Sequence, residues 1–90
     1  MGYGMYHNRV DRVETPLYSR SFVFRHQPSQ KVLVLVVNEQ AFITLALRRE
    51  VLTRLQDQHP DLGLNESNVF LTAQHTHSGP GGYSHYGLYN

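Results

Sequence analysis

The sequence predicts an α/β fold, in which a partial sheet contains an N-terminal hairpin, one crossover helix and a further parallel strand. Two apolar segments with the composition of strands come first along the chain, and a third lies near residue 70. Between the second and the third, the spacing of apolar residues changes from two to about 3.6, which is the period of a helix. A helix between two strands of one sheet predicts that these strands are parallel.

The first two strands are predicted at residues 18–25 and 31–37, with a turn at residues 26–30 between them. In the first strand, small side chains alternate with aromatic ones, as expected for a period of two. The second has the sequence KVLVLVV and is apolar on both faces, which is typical of a central strand covered on both sides. Residues 1–16 contain two glycines and Pro16 and are predicted to form a loop.

The helix is predicted at residues 39–58, where the apolar side chains fall on one side of a helical wheel. Asn38 is the candidate N-cap, and His59 with Pro60 is expected to end the helix. A third strand is predicted at residues 68–73, and the loop that follows it leads into a candidate active site. Ligands of open α/β sheets bind at the carboxyl ends of the strands, which is where this loop lies. The apolar side of the helix comprises Ala41, Leu45, Leu47, Val51, Leu52 and Leu55.

The composition excludes several classes of function. The chain has 90 residues, a formal net charge of +1 and no cysteine. So small a charge does not favour nucleic acid as a partner, and the lack of cysteine excludes disulfides and cysteine-based zinc sites. No run of eighteen apolar residues is present that would span a bilayer. Because both ends are loops rich in glycine and tyrosine, we expect residues 1–90 to be a fragment of a longer protein, with no internal domain boundary.

The loop after the third strand has the sequence QHTHSGPGG, in which His75 and His77 are two positions apart. Neutral imidazole is a common zinc ligand, and side chains at positions i and i+2 of an extended backbone point to the same side. Gly79 and Gly81 would let a ligand approach the backbone, and Ser78 offers a hydrogen-bond donor. The H-x-H motif also occurs in surface loops, so its spacing alone leaves a metal site and a surface loop about equally supported.

A catalytic zinc ion takes about three protein ligands and a water molecule. No second motif of this kind occurs in the sequence, so we expect the remaining ligands to lie outside residues 1–90. Two known zinc patterns fit poorly. The metallo-β-lactamase pattern H-x-H-x-D-H needs Asp and His where this chain has Gly79 and Pro80. Amidohydrolase barrels place H-x-H after their first strand rather than their third.

The sequence HTHSGPGGYSHYGLYN at residues 75–90 resembles the signature loop of the neutral ceramidases. The resemblance continues through LRREVLTRLQ, NESNVFLTAQ and YSRSFVF to MGYG near the start, in the same order along the chain. The chain departs from the family at Glu14 and Pro16, where members often have His and Arg, and at Gln40, where many have Asp. The resemblance covers nearly the whole chain and implies an early part of the family's N-terminal catalytic domain.

Members of this family are zinc amidohydrolases that cleave the N-acyl bond of ceramide to give sphingosine and a fatty acid. The resemblance therefore implies a zinc ion bound by His75, with His77 as a catalytic residue beside it. It also implies a ceramide-like lipid substrate, contact with a membrane surface and an extracellular or periplasmic location. Two alternatives stay open, namely a metal hydrolase acting on another N-acyl lipid, amide or ester, and a non-catalytic α/β binding module. The candidate substrate-binding residues are Gly2, Tyr3, Ser78, Gly79, Gly81 and Tyr83.

Overall fold

A computed structural model describes residues 4–87 and places three strands in one mixed sheet. Strands β1 (Ser19–His26) and β2 (Lys31–Asn38) form an antiparallel hairpin, and β3 (Val69–Ala73) pairs with β2 in parallel. The helix α1 (Leu45–Gln58) lies in the connection between β2 and β3. The predicted hairpin and the predicted parallel pair are confirmed, and each strand boundary lies within one residue of its prediction.

The register of the strands shows that one face of the sheet is covered at β3 but exposed at β1, and that the other face is open. Phe22 pairs with Leu35, and Leu35 pairs with Phe70, so these three side chains share a face. Val34 and Val69 are paired on the opposite face. Val69 is only 1% exposed, whereas Phe22 and Phe70 are 46% and 47% exposed. The described residues include a single crossover helix and leave this second face open, so cover on both sides of β2 stays a prediction for the whole protein.

The helix α1 begins at Leu45, six residues later than predicted, and ends at Gln58. Thr44 precedes it with an extended backbone (φ −85°, ψ 156°), and its hydroxyl oxygen accepts a hydrogen bond from the Leu47 N–H at 3.1 Å. A side chain that binds a first-turn N–H in this way stabilises a helix by about 1 kcal/mol. The predicted end is confirmed, since His59 is the C-cap and Pro60–Leu62 form a short 3-10 turn after it.

The residues between β2 and α1 stay outside the helix because their polar groups bind other parts of the chain. Asn38, the predicted helix cap, donates its side-chain N–H to the Thr72 carbonyl at 3.0 Å instead. The Glu39 N–H donates to the Tyr18 carbonyl at 3.0 Å. Ala41 was predicted to lie on the apolar side of the helix, but it is buried in this connection. The connection thus runs from the C-terminal end of β2 past the candidate site.

The described part of the chain is elongated. Its extents are 53 × 24 × 18 Å and its Cα radius of gyration is 15.8 Å, whereas a compact domain of this length has a radius of about 12 Å. Among the hydrophobic residues that the structure describes, Ala41 and Val69 alone are buried. Within residues 4–87, α1 is too short and too polar to cross a membrane, and the same holds for the 3-10 turn.

Candidate functional site

His75 is the second residue after β3 and has a left-handed backbone. Its φ is +65°, a region that residues with a Cβ atom seldom occupy. The His75 N–H donates to the Gln40 carbonyl at 3.1 Å, and the ring atom Nδ1 lies 2.6 Å from the Ala41 carbonyl oxygen. The connection between β2 and α1 therefore fixes both the backbone and the ring of His75. A strained backbone of this kind costs about 1–3 kcal/mol and is frequent at functional sites.

The contact with Ala41 sets the tautomer of His75. A carbonyl oxygen only accepts hydrogen bonds, so Nδ1 carries a proton and, in the neutral imidazole, Nε2 presents its lone pair. The Nε2 atom of His77 lies 3.3 Å from that lone-pair atom, and the two ring planes meet at 88°. The two rings converge as the sequence predicts. They do so through the left-handed turn at His75, however, and the prediction of an extended backbone there is wrong.

The distance between the two Nε2 atoms suits two neighbouring ligands of one zinc ion. Nitrogens at about 2.0–2.1 Å from a tetrahedral ion lie about 3.3–3.4 Å from each other. The two imidazoles supply two such nitrogens, which is part of a complete ligand set. Within the described range, no cluster of three or more His, Cys, Asp or Glu side chains would hold a metal ion. The pair therefore supplies at most two of the four ligands of a zinc site, and of the two rings His75 has its Nδ1 atom held by a carbonyl.

A groove of about 990 Å³ runs beside the histidine loop. It is lined by residues 8–17 of the N-terminal segment and by residues 76–80 of the loop, together with Glu39 and Gln74. His77 belongs to this lining, whereas His75 does not border the groove in the described structure. Because the His77 ring also contacts His75, it connects the groove with the candidate metal ligand.

Only some of the predicted substrate-binding residues line this groove in the described part of the chain. Ser78 and Gly79 line it. Gly81 is exposed and lies outside the described lining. Gly2 and Tyr3 lie outside the residues that the structure describes. Substrate contacts at these positions stay predictions.

Tyr83 joins the end of the histidine loop to the start of α1. Its hydroxyl oxygen accepts the Phe42 N–H at 3.3 Å, and the centroids of the two rings are 5.4 Å apart. The Tyr83 carbonyl accepts the Thr44 hydroxyl at 3.2 Å. These contacts place Tyr83 at the N-terminus of α1 rather than in the groove lining, and a contact between Tyr83 and substrate stays a prediction.

Glu39 lines the groove, although the motifs of the sequence do not point to it. One carboxylate oxygen accepts a hydrogen bond from the Arg20 guanidinium at 2.8 Å, and the other accepts one from the Tyr18 N–H at 2.9 Å. The hydrogen bond from Arg20, followed by the one from Tyr18, holds the pKa of Glu39 below its usual value. Glu39 directly follows β2, and its position at the carboxyl end of a strand was a signal that would have identified it.

Comparison with known proteins gives a family match over the whole chain. Residues 1–90 match the family model described as neutral/alkaline non-lysosomal ceramidase, N-terminal. The chain is 39% identical over 90 residues to the neutral ceramidase of Pseudomonas aeruginosa and 42% identical over 92 residues to that of Mycobacterium tuberculosis. It is 35% identical over 89 residues to the neutral ceramidase of Oryza sativa subsp. japonica. These matches cover 100%, 100% and 99% of the chain but 13%, 14% and 11% of the relatives, so the chain spans about an eighth of their length.

Proposed function

The chain belongs to the neutral/alkaline non-lysosomal ceramidase family, and we propose that the whole protein hydrolyses the N-acyl amide of ceramide or a similar lipid. In this reaction water adds to the amide carbonyl carbon, the carbon–nitrogen bond breaks, and the amine leaves with a proton. The products are sphingosine and a fatty acid. The observation that carries the proposal is the pair of converging imidazoles, His75 and His77, beside a groove at the carboxyl end of a parallel strand.

We assign the binding of zinc to His75. The Ala41 carbonyl accepts its Nδ1–H, which is the outer contact that metal-binding histidines generally make. In the neutral imidazole this leaves the lone pair on Nε2, the form that a metal ligand requires. The chemistry that zinc supplies in such sites is Lewis acidity, which polarises a carbonyl and lowers the pKa of water toward about 7. The remaining ligands would come from other parts of the whole protein, of which this chain is a small share.

We assign contact with the substrate to His77. Its ring lines the groove and touches His75, so it lies next to any carbonyl that approaches the metal ligand from the groove. In that position an imidazole N–H donates a hydrogen bond to the carbonyl oxygen as negative charge develops on it. The loss of one such donor typically lowers a rate by about 10²–10³.

The groove has the size and the mixed lining that the polar end of a lipid requires. Its volume of about 990 Å³ is at the upper end of the range of about 300–1,000 Å³ for small-molecule sites. Val10, Val13 and Leu17 lie in the lining beside polar groups such as Thr15. Val10 and Val13 are 72% and 88% exposed. We propose that these two side chains touch the membrane surface from which the lipid is taken.

A substrate panel with the whole protein tests the proposal. The panel comprises a ceramide, an N-acyl amino acid and a fatty-acid ester, each assayed before and after removal and return of zinc. We expect the ceramide to be cleaved fastest, to equal amounts of sphingosine and fatty acid, with activity that chelation removes and zinc restores. Faster cleavage of another substrate would reassign the specificity. A protein with neither hydrolysis nor bound metal would be a binding module instead.

A further inference from the structure

Glu39 binds both polar groups of the Tyr18 backbone. The Glu39 N–H donates to the Tyr18 carbonyl at 3.0 Å, and one carboxylate oxygen accepts the Tyr18 N–H at 2.9 Å. Arg20 binds the other oxygen at 2.8 Å, and its guanidinium carbon lies 5.2 Å from the centroid of the Tyr18 ring. Glu39 and Arg20 together therefore hold the chain at the point where it enters β1.

This point of the chain meets the histidine loop at Gly79, which is buried. A Cβ atom at Gly79 would lie 3.4 Å from the Glu39 carbonyl oxygen and 3.5 Å from the Leu17 Cδ1 atom. Leu17, Glu39 and Gly79 all belong to the lining of the groove. The segment at residues 8–17, which supplies most of that lining, thus lies against the histidine loop through Leu17, beside Glu39.

The Glu39 carboxylate is not arranged to exchange a proton with a substrate. Each of its two oxygens accepts a hydrogen bond from Tyr18 or Arg20, and its side chain is 18% exposed. A carboxylate with donors on both oxygens is stabilised in its charged form, which makes it a poor general base. Any effect of Glu39 on the reaction therefore passes through the residues that it holds.

We propose that Glu39, together with Arg20, is a positioning residue that sets the width of the groove beside His77 and hence the affinity for an acyl lipid. This inference rests on the proposed function. Removal of the carboxylate frees Arg20 and the Tyr18 N–H but leaves the bond from the Glu39 N–H to the Tyr18 carbonyl. The strand pairing therefore survives, the segment at residues 8–17 moves, and the two histidines keep their own contacts.

The kinetic test uses the whole zinc-loaded protein with Glu39→Ala, Glu39→Gln and Arg20→Met. We expect Glu39→Ala to raise KM by roughly three- to tenfold, with kcat within about twofold and zinc content unchanged. Glu39→Gln keeps one acceptor oxygen and should raise KM less. The double variant Arg20→Met with Glu39→Ala should have the same KM as Glu39→Ala alone, because each of the two changes breaks the same ion pair between Arg20 and Glu39. The matched control is Glu50→Ala, which breaks an exposed ion pair with Arg54 on α1 and should leave KM unchanged.

A distance measurement decides the inference even where no substrate is cleaved. Spin labels introduced at Val13 and Pro80, both in the groove lining, report the width of the groove directly. We expect a longer or broader distance in Glu39→Ala and Arg20→Met and no change in Glu50→Ala. Widening without any lipid hydrolysis by the unmodified protein would overturn the proposed function and keep the role of Glu39 in shaping the groove. An unchanged distance, an unchanged KM, or a loss of kcat by about 100-fold at constant KM would each overturn the inference.

Discussion

The Nε2 atoms of His75 and His77 lie 3.3 Å apart, with their imidazole planes at 88° to each other. A hydrogen bond between the rings and a cation bound to His75 are mutually exclusive, because both use the lone pair of the His75 Nε2 atom. Binding of a cation to His75 would therefore break any hydrogen bond between the two rings. Metal content and turnover should respond differently to substitutions at the two positions.

We predict that His75→Ala in the whole protein lowers zinc content and abolishes turnover, whereas His77→Ala keeps zinc and lowers kcat by about 10²–10³. The difference follows from the Ala41 contact, which prepares His75 as a ligand, and from the groove position of His77. Metal analysis by mass spectrometry beside single-substrate kinetics measures both effects. His26→Ala, at the last residue of β1, is the control and should change neither. Equal loss of zinc at both positions would make His77 a second ligand.

The left-handed backbone of His75 leads to a separate prediction about stability. In the metal-free whole protein, His75→Gly should be more stable than His75→Ala by about 1 kcal/mol, because φ of +65° strains alanine but not glycine. Both changes remove the imidazole and its contact with Ala41, so their difference isolates the backbone. Urea titration of the two variants measures this difference. Identical midpoints would show that the strain is relieved elsewhere.

Thr44 is predicted to matter for stability through two bonds of one hydroxyl group. It accepts the Leu47 N–H and donates to the Tyr83 carbonyl, and the residue is buried. Thr44→Ala should lower the free energy of unfolding by about 1–2 kcal/mol, while Thr44→Ser keeps the hydroxyl and recovers most of this loss. Chemical denaturation of the whole protein provides the measurement. Asn38→Ala tests the other candidate cap. Because Asn38 does not cap α1, this variant should keep the helix content of the unmodified protein.

The lowered pKa of Glu39 predicts the direction of a pH effect. A carboxyl group whose pKa is lower in the folded than in the unfolded protein stabilises the fold above its unfolded pKa, near the ordinary value of 4.5. That contribution is lost as the pH falls through the folded pKa. Between pH 6 and pH 3, the melting temperature of Glu39→Gln should therefore fall less steeply than that of the unmodified protein. If the melting temperatures of the two proteins fell equally with pH, Arg20 would not be bound to the Glu39 carboxylate in solution.

Residues 1–90 expressed alone are predicted to be poorly stable and to lack hydrolase activity. Ala41 and Val69 are the buried hydrophobic residues of the described part, and the open sheet face carries exposed phenylalanines. So little burial does not offset the conformational entropy of ordering the chain. Circular dichroism with a urea titration tests this expectation. A steep, cooperative transition at high urea concentration would contradict it.

The strands could be predicted closely, and the start of the helix could not. Strand alternation and the apolar segment at β2 are local patterns, and the sheet preserves them. Ala41 continues the helical period backward from Leu45, so the pattern alone extends the helix to Glu39. The helix begins only after Thr44 because residues before it form hydrogen bonds with distant parts of the chain, such as Tyr18 and Tyr83. Such partners leave no periodic signal in the sequence.

The candidate site could likewise be predicted only in part. His75 and His77 could be predicted because they follow a strand and precede glycines. The partner of the His75 ring is the Ala41 carbonyl, a group that every residue possesses, so no motif marks it. The groove wall at residues 8–17 lacks regular structure, and Leu17 at its end lies against Gly79 of the histidine loop.

Because main-chain oxygens of Gln40 and Ala41 hold His75, no particular side chain at position 40 is needed to accept the His75 N–H. Any residue there offers the same carbonyl to the His75 N–H. Position 41 has less freedom, since a larger side chain would not fit where Ala41 is only 3% exposed. A substitution at position 40 can therefore change the side chain next to the candidate site and leave the backbone acceptor of the His75 N–H in place.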